Sequence, residues 1–434
     1  MKRVVIIGGG ISGLAAAHRL SELRLTQQKP VEITLLEASN RLGGVIQTET
    51  RDGFIIEHGP DSFISEKPEA VELARRLGID SHLIETNEAH RRSFIVRKGR
   101  LRPVPEGFQL LAPSRLWPFV TTDIFSFAGK LRMAADLVLP RRTTNGSADE
   151  SLAGFVRRRL GQEALDRMAQ PMVGGIYTAD PEKLSLRATL PRFLEMERKH
   201  RSIILAMRHR ERSDGPAERE SGVSGARYSL FLSFDRGMRV LTDELHKKLT
   251  NIQDANTRTD IRLNTRVVSI ERVTALESTW KIRTSKDETI DADAICLAIP
   301  AYTAASLLQN VHPQLSSKLD EICYASTATI NLGYRKQNIN HPLDGFGFVV
   351  PFIENRSMIA CTFSSVKFSG RAPENHVLLR AFVGGALQPE MFQLDDEEML
   401  LRVKSDLRDL LGARGEPVFV EMTKWAKSMP QYEV

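Results

Sequence analysis

The chain has 434 residues, 41% of them apolar and 26% charged, enough for two or three domains with sizeable buried cores. No apolar run reaches the length of about eighteen residues that a membrane-spanning helix needs, and Met1-Lys2-Arg3 passes straight into an apolar strand, leaving no room for a cleavable signal, so the cytoplasm is expected. A net charge of +6 and an isoelectric point near 9.2 suit acidic substrates, an anionic lipid surface or nucleic acid without choosing among them. Cys296, Cys323 and Cys361 are odd in number and lack metal-ligand spacing, so they read as small buried hydrophobes in a reducing compartment, and no metal is expected.

The first sixty residues organise the rest. Val4 to Ile7 is a continuous apolar run ending in glycines, which suits a strand buried on both faces of a parallel sheet. Gly8, Gly10 and Gly13 then satisfy GxGxxG: the first permits a tight turn, the second lets backbone approach a pyrophosphate, and the third lets helix and strand pack closely. The phosphates would sit at the helix N-terminus, over Ile11 and Ser12. A second strand, Val31 to Leu36, delivers Glu37 and Ala38, with the carboxylate placed to accept ribose hydroxyl hydrogens, which argues against a 2′-phosphorylated nucleotide. Arg41, Gly43 and Gly44 follow, and these glycines again allow close backbone approach to a ligand, or form an ordinary turn. A βαβ nucleotide-binding unit built for a flavin is the reading.

Further along, Ser65 to Pro68 opens a helical pattern with Ala70, Leu73, Ala74 and Leu77 on one face and Gly78 as its stop. Lys67 near that start is either solvated or an anion-binding candidate. From Arg91 to Pro118 four prolines predict short strands and turns, whereas 123 to 138 and 151 to 170 have helical spacing, separated by a polar loop at 141 to 147. This is a helical insertion. The stretch 193 to 212 sets Ile203, Ile204 and Met207 among basic residues on one helix, either a surface helix with a solvated charged face, the preferred reading, or one resting on an anionic membrane. Residues 211 to 227 read as a flexible loop. A helix from Met238 to Leu249 precedes strands at 261 to 264, 266 to 270, 280 to 283 and 294 to 299, the last stopped by Pro300. Four strand-like stretches between Thr327 and Val383, expected to form a separate sheet, precede a helix at 396 to 411 and a strand at 418 to 425.

GGGISGLAAA, LLEASNRLGG and EHGPDSF, with GGIYTADPEKLSL at 174 to 186, KHRSIILAM at 199 to 207 and WAKSMPQY at 425 to 432, resemble the porphyrinogen oxidases of haem synthesis, within the wider group of amine oxidases and carotenoid desaturases. The resemblance runs the length of the chain, and Lys67 four residues beyond Phe63 is most similar to the bacterial type acting on coproporphyrinogen III. It implies FAD as cofactor and an α/β fold, α+β overall: a discontinuous Rossmann-like FAD-binding domain, a mixed-sheet substrate domain and a helical insertion. The expected pieces are 1–86 and 228–300 for FAD, 87–210 for the substrate and helical insertion, 211–227 for the loop, 301–417 for the substrate sheet and helices, and 418–434 for the start of a closing FAD piece.

By the same resemblance, Gly8 to Gly13 meet the pyrophosphate, Glu37 the ribose, and Arg41, Gly43 and Gly44 the flavin side. Gly59, Pro60, Asp61 and Ser62 would touch the isoalloxazine, Val267 the adenine end and Trp425 the flavin; a plain strand residue and a core aromatic are the alternatives for the last two. Lys67 would pair with a substrate propionate, and Ile176 and Tyr177 would line the porphyrinogen cavity or merely pack a turn. The implied reaction removes six electrons from a porphyrinogen in three rounds, each reducing the flavin, which O₂ reoxidises with release of hydrogen peroxide. The cofactor carries that chemistry, and no obligatory side-chain acid or base follows. Protoporphyrinogen IX is the alternative substrate; another flavin oxidase, a carotenoid desaturase, or a non-catalytic flavin or porphyrin binder are the competing readings. The family continues past WxxSMPQY with a glycine-rich GVGIPDC segment against the flavin, whereas this sequence stops at Val434, so weak FAD binding is expected. Nothing implies a nucleic-acid partner or an oligomeric state.

Overall fold

The computed structural model describes residues 1–142, 149–213, 231–250, 259–273 and 280–434. The expected loops at 141–147 and 211–227 therefore lie mostly outside the described residues. The described chain divides into two units: residues 1–51, 55–84 and 232–323, and residues 52–54, 85–231 and 324–434.

The first unit is built on a four-stranded parallel sheet in the order Thr259–Arg262, Val31–Leu36, Lys2–Ile7, Ala294–Leu297. The VVII run explains why this sheet is buried on both sides. Alternate residues face opposite ways, so Ile6, with Ile33 and Leu35, packs under helices that contribute Leu14, Leu73 and Leu245, whereas Val5, Ile7 and Leu36 pack with Ile270, Ile282 and Ala292 of a three-stranded antiparallel sheet. That sheet is Val267–Arg272, Trp280–Thr284 and Thr289–Ala292. The opening helix spans Ile11–Gln27 and the next Glu69–Leu77, closed by Gly78 in the left-handed region at φ 77°. The last parallel strand ends at Leu297, two residues short of the expected 299, and Pro300 is instead the N-cap of the helix Ala301–Leu308.

The second unit holds a seven-stranded mixed sheet in the order Phe419–Pro430, Tyr324–Arg335, His376–Gly384, Met358–Phe363, Gly347–Val349, Phe94–Arg97, Arg100–Pro103. Its pairs are antiparallel except Gly347–Val349 with Phe94–Arg97. The four expected strands thus share their sheet with an early hairpin and with the final strand. The helix Asp396–Leu411 packs on it through Met399, Val403, Leu407 and Leu411; the Asp395 carboxylate accepts from Glu398 N at 2.8 Å to cap it, and Gly412 at φ 63° closes it.

A helical region in the same unit has its own core, in which Phe155, Met168, Phe193, Ile203, Ile204 and Met207 meet. This corrects the reading of 193 to 212. The segment is two helices, Pro191–His200 and Ile203–Ser213, broken at Arg201 (φ 64°), and Ile203, Ile204 and Met207 are at most 2% exposed, so their apolar face is core and not a lipid-facing surface. The break is held by a buried ion pair. Arg159 Nε donates to Asp136 Oδ1 at 2.7 Å, Ser202 Oγ and Ile204 N donate to Asp136 Oδ2 at 2.6 and 3.1 Å, and Arg159 Nη2 donates to Arg201 O at 2.7 Å. Cys361 is buried, as expected of a small hydrophobe, but Cys323 is exposed.

Candidate functional site

The glycine-rich turn between the first strand and the first helix is a cradle, and its three glycines have three different reasons to lack a side chain. Gly8 has φ 109°, and a Cβ there would meet Ala298 O at 2.3 Å. At Gly13 a Cβ would stand 1.8 Å from Gly8 O, so this glycine lets the helix lie against the turn. Gly10 is different. A Cβ there would meet nothing nearer than Gly44 Cα at 3.9 Å, so no protein atom requires a glycine, and the open space in front of it suits a ligand's close approach. Gly10 is also the N-cap of Ile11–Gln27; its helix has no side-chain cap and no acidic residue in the first turn, which leaves the first amides, including those of Ile11 and Ser12, for an anion.

The neighbouring turns close around this end. Gly43 N donates to Gly9 O at 2.9 Å and Gly10 bridges Gly43, so the second glycine pair lies beside the first. Arg41 is turned back on its own loop, donating to the carbonyls of Leu42, Gly44 and Ile46 at 3.2, 2.6 and 3.4 Å; burial lowers its pKa, and the Glu37 charge works the other way. It shapes the turn that presents Gly43 and Gly44. Glu37 accepts from Gly9 N and Ser39 N, each at 2.7 Å, while Ala38 is exposed. Thr265 N donates to Glu37 O at 2.8 Å, which brings half-buried Val267, two residues on, to the same end of the unit as the carboxylate. The open amides at Gly10 fit an anionic group of a dinucleotide, and the Glu37 carboxylate fits as an acceptor for a ribose hydroxyl.

At Gly59 a Cβ would meet Val45 O at 1.7 Å, so this residue too is held by packing. Exposed Pro60 follows; Ser62 Oγ donates to Asp61 Oδ1 at 2.8 Å, and Ser233 Oγ donates to Asp61 O at 2.7 Å. Lys67 is exposed just before Pro68, the N-cap of Glu69–Leu77. Sequence reasoning missed Glu57. Its buried carboxylate accepts from Met238 N and from Thr48 Oγ1, each at 2.7 Å, and so ties the strand before Gly59 to the head of the helix Arg239–Thr250, whose Thr242 lies beside Gly43. An acid in an otherwise apolar FIIE strand was the available signal.

In the second unit, Ile176 and Tyr177 end the helix Gln170–Tyr177, with Ile176 exposed and Tyr177 half-buried. The Tyr177 ring meets Tyr432 edge-on at 6.0 Å, and its hydroxyl donates to Thr189 O at 3.4 Å; burial, with Tyr432 beside it, raises its pKa. Trp425 lies on the edge strand Phe419–Pro430 opposite Thr327, half-buried. That strand was expected to begin a closing piece of the FAD domain, and it belongs instead to the seven-stranded sheet.

Residues 11–433 match the family of flavin-containing amine oxidoreductases. The chain is 36% identical to the coproporphyrinogen III oxidase of Bacillus subtilis strain 168, covering 100% of itself and 88% of that relative. It is 29% identical to the mitochondrial protoporphyrinogen oxidase of Nicotiana tabacum, covering 99% of itself and 85% of that protein. A solved structure from Exiguobacterium sp. 255-15, whose protein carries a provisional protoporphyrinogen oxidase name, superposes with a TM-score of 0.84 at 31% identity, over 100% of this chain and 88% of that one. The chain belongs to the flavin-containing amine oxidoreductase family, in its porphyrinogen oxidase branch.

Proposed function

We propose that the chain oxidises coproporphyrinogen III to coproporphyrin III in haem synthesis, with FAD as cofactor, O₂ as acceptor and hydrogen peroxide as by-product. The observation that carries this reading is the full-length similarity to the Bacillus coproporphyrinogen III oxidase, stronger than that to the tobacco protoporphyrinogen oxidase. When bound, the flavin supplies the two-electron chemistry and its reoxidation by O₂. The chain's own residues hold and orient. Gly8, Gly10 and Gly13, with the amides of Ile11 and Ser12, receive the pyrophosphate at an uncapped helix end, and Glu37 accepts from the ribose hydroxyls. Val267 takes the adenine end, Arg41 fixes the turn of Gly43 and Gly44, and Gly59 to Ser62 and Trp425 serve the isoalloxazine.

Lys67 supplies an exposed ammonium for a propionate, and Ile176 and Tyr177 an apolar wall for the macrocycle. We assign no residue to proton transfer. In this reading residues 1–86 and 228–300 are the FAD-binding pieces, and 87–210 and 301–417 serve the substrate.

A peripheral lipid contact belongs to the same reading, on a different surface from the one the sequence pointed to. Among the described residues no helix is long and apolar enough to cross a membrane. The short helices Leu116–Thr121 and Phe127–Ala134 nevertheless turn Trp117 (77% exposed), Val120, Phe127 (78%) and Leu131 outward, while Phe119 and Met133 on their other sides are buried. Large apolar side chains at helical spacing on the wet face suit an interfacial helix.

The test is to offer coproporphyrinogen III and protoporphyrinogen IX side by side to the purified chain with added FAD and to follow porphyrin fluorescence. Faster oxidation of coproporphyrinogen III is expected; preference for protoporphyrinogen IX would move the substrate assignment, and turnover of neither would overturn the reading.

A further inference from the structure

The hairpin Phe94–Arg97 and Arg100–Pro103 ends the seven-stranded sheet, and its outer strand is six inter-strand steps from the strand that carries Trp425. At about 4.8 Å per step this is roughly 29 Å away. Its register sets Arg97 directly opposite Arg100 and Ile95 opposite Arg102, and residues at alternate positions share a face, so Arg97, Arg100 and Arg102 stand on the side that carries Ile95. Ile95 is buried in the core of the helical region, which fixes that side as the one toward the helices. The two-residue turn is Lys98-Gly99, with φ 49° and 68°. Turns of this kind favour Asn, Asp or Gly at the first position. Like charges directly opposite also destabilise a hairpin. Three cations, Arg97, Lys98 and Arg100, therefore occupy positions at which local preferences disfavour them, and such departures from local consistency concentrate at functional sites.

Arg97, Lys98, Arg100 and Arg102 line a cavity of about 420 Å³ together with Asp123. Four cations against one carboxylate leave three positive charges. Arg102 Nε is 2.9 Å from Asp123 Oδ2, so that acid neutralises one guanidinium. The acids nearby are committed elsewhere. Glu354 accepts from Lys98 N and Gly99 N at 3.0 and 3.2 Å and faces Arg167 at 3.8 Å. Glu163, whose charge Arg97 favours from a distance, accepts from Ser126 N and Oγ at 2.8 and 2.6 Å and pairs with Arg167 at 3.2 Å. Nη1 of Arg97 is buried and has no hydrogen-bond partner among the described residues. A buried donor in that state is costly unless something supplies an acceptor.

We infer that this cavity is an anion site, made of none of the cradle's residues, that takes a compact oxyanion of at least two negative charges, a polyphosphate or a polycarboxylate. Guanidinium forks match either group bidentately, and the cavity lies within the roughly 300–1,000 Å³ range of small-molecule sites. The inference rests on the hairpin and not on the proposed reaction.

The test is calorimetric titration of the full chain, with excess FAD present to occupy the cradle, using pyrophosphate and citrate at low salt. Saturable binding that weakens with added salt is expected; pyrophosphate alone would assign a phosphate source, and citrate alone a carboxylate source. The double variant R97Q/R100Q should bind about tenfold or more weakly, and Asp123→Asn, which frees Arg102, should bind several-fold more tightly. The second variant carries the test if the first fails to fold. No binding of either anion, or affinity unchanged in the folded variants, would overturn the inference. Since the readout is anion binding, that failure would leave the porphyrinogen reading standing.

Discussion

Gly10→Ala separates a glycine kept for a ligand from one kept for the fold. A Cβ at position 10 would have Gly44 Cα at 3.9 Å as its nearest neighbour, an ordinary contact, and the backbone there, φ −71° and ψ −179°, is open to alanine. Reduced freedom of the unfolded chain stabilises such a variant by about 0.4–1 kcal/mol, while alanine is a poorer N-cap than glycine by up to about 1 kcal/mol. The two effects oppose, so stability should change by less than about 1 kcal/mol, a melting shift of at most about 4 °C for a domain of this size. Flavin affinity should nevertheless fall by about ten- to a hundredfold, because the methyl group stands where a charge-assisted hydrogen bond of roughly 1.5–3 kcal/mol forms. Gly13→Ala is the counterpart. Its Cβ would lie 1.8 Å from Gly8 O, so the helix must shift, at a cost at or above the ~1–3 kcal/mol of ordinary overpacking, with or without ligand. Thermal melts of both variants, with FAD titrated by the quenching of its fluorescence, check this. A Gly10→Ala protein that melts well below the parent and binds FAD as tightly would refute the assignment.

Other outcomes follow from buried charge and exposed apolar surface. Asp136→Ala leaves Arg159, 0% exposed, without its carboxylate, and should cost about 3–5 kcal/mol in denaturant unfolding; a loss under about 1 kcal/mol would contradict the buried pairing. Burial lowers the pKa of His18, and Arg76, Lys248 and Arg19 add to this against Glu22, while burial likewise lowers His341. A depressed folded-state value means that stability is fully present above the unfolded pKa of 6.5 and is lost as pH falls through the folded one. Glu197 is lowered too, since Arg158 and neighbouring donors outweigh its burial, so a second loss begins below pH 4.5. Melts from pH 8 to 2 should show both windows, and His18→Leu should reduce the first. Replacing Trp117 and Phe127 together by Glu should abolish sedimentation with anionic vesicles without lowering the melting temperature; equal sedimentation of parent and variant would remove that surface from the lipid contact.

Much of the fold was legible because the signals were local. The VVII run, the strand Val31–Leu36 and the helix Asp396–Leu411 each follow from periodicity and punctuation within a dozen or so residues. What escaped was non-local. Pairing of Phe94–Arg97 with Gly347–Val349 joins strands some 250 residues apart, and nothing in either stretch names its partner. Helical spacing at Phe127 and Leu131 is the same whether the apolar face looks inward or outward, so the exposed surface there was invisible. The basic run 193 to 212 reads as one helix because the bend at Arg201 depends on Asp136 and Arg159, far along the chain. In the candidate site, the spacing of glycines and Glu37 was enough to find the cradle. Glu57 was not, since its importance lies in which amides it meets.

The most direct measurement of the central claim is the yield of hydrogen peroxide per porphyrin when the purified chain, supplied with FAD, is given coproporphyrinogen III in air. Three peroxides per porphyrin, formed well above the rate without protein, is the predicted result. Porphyrin appearing no faster than in the protein-free control would contradict it.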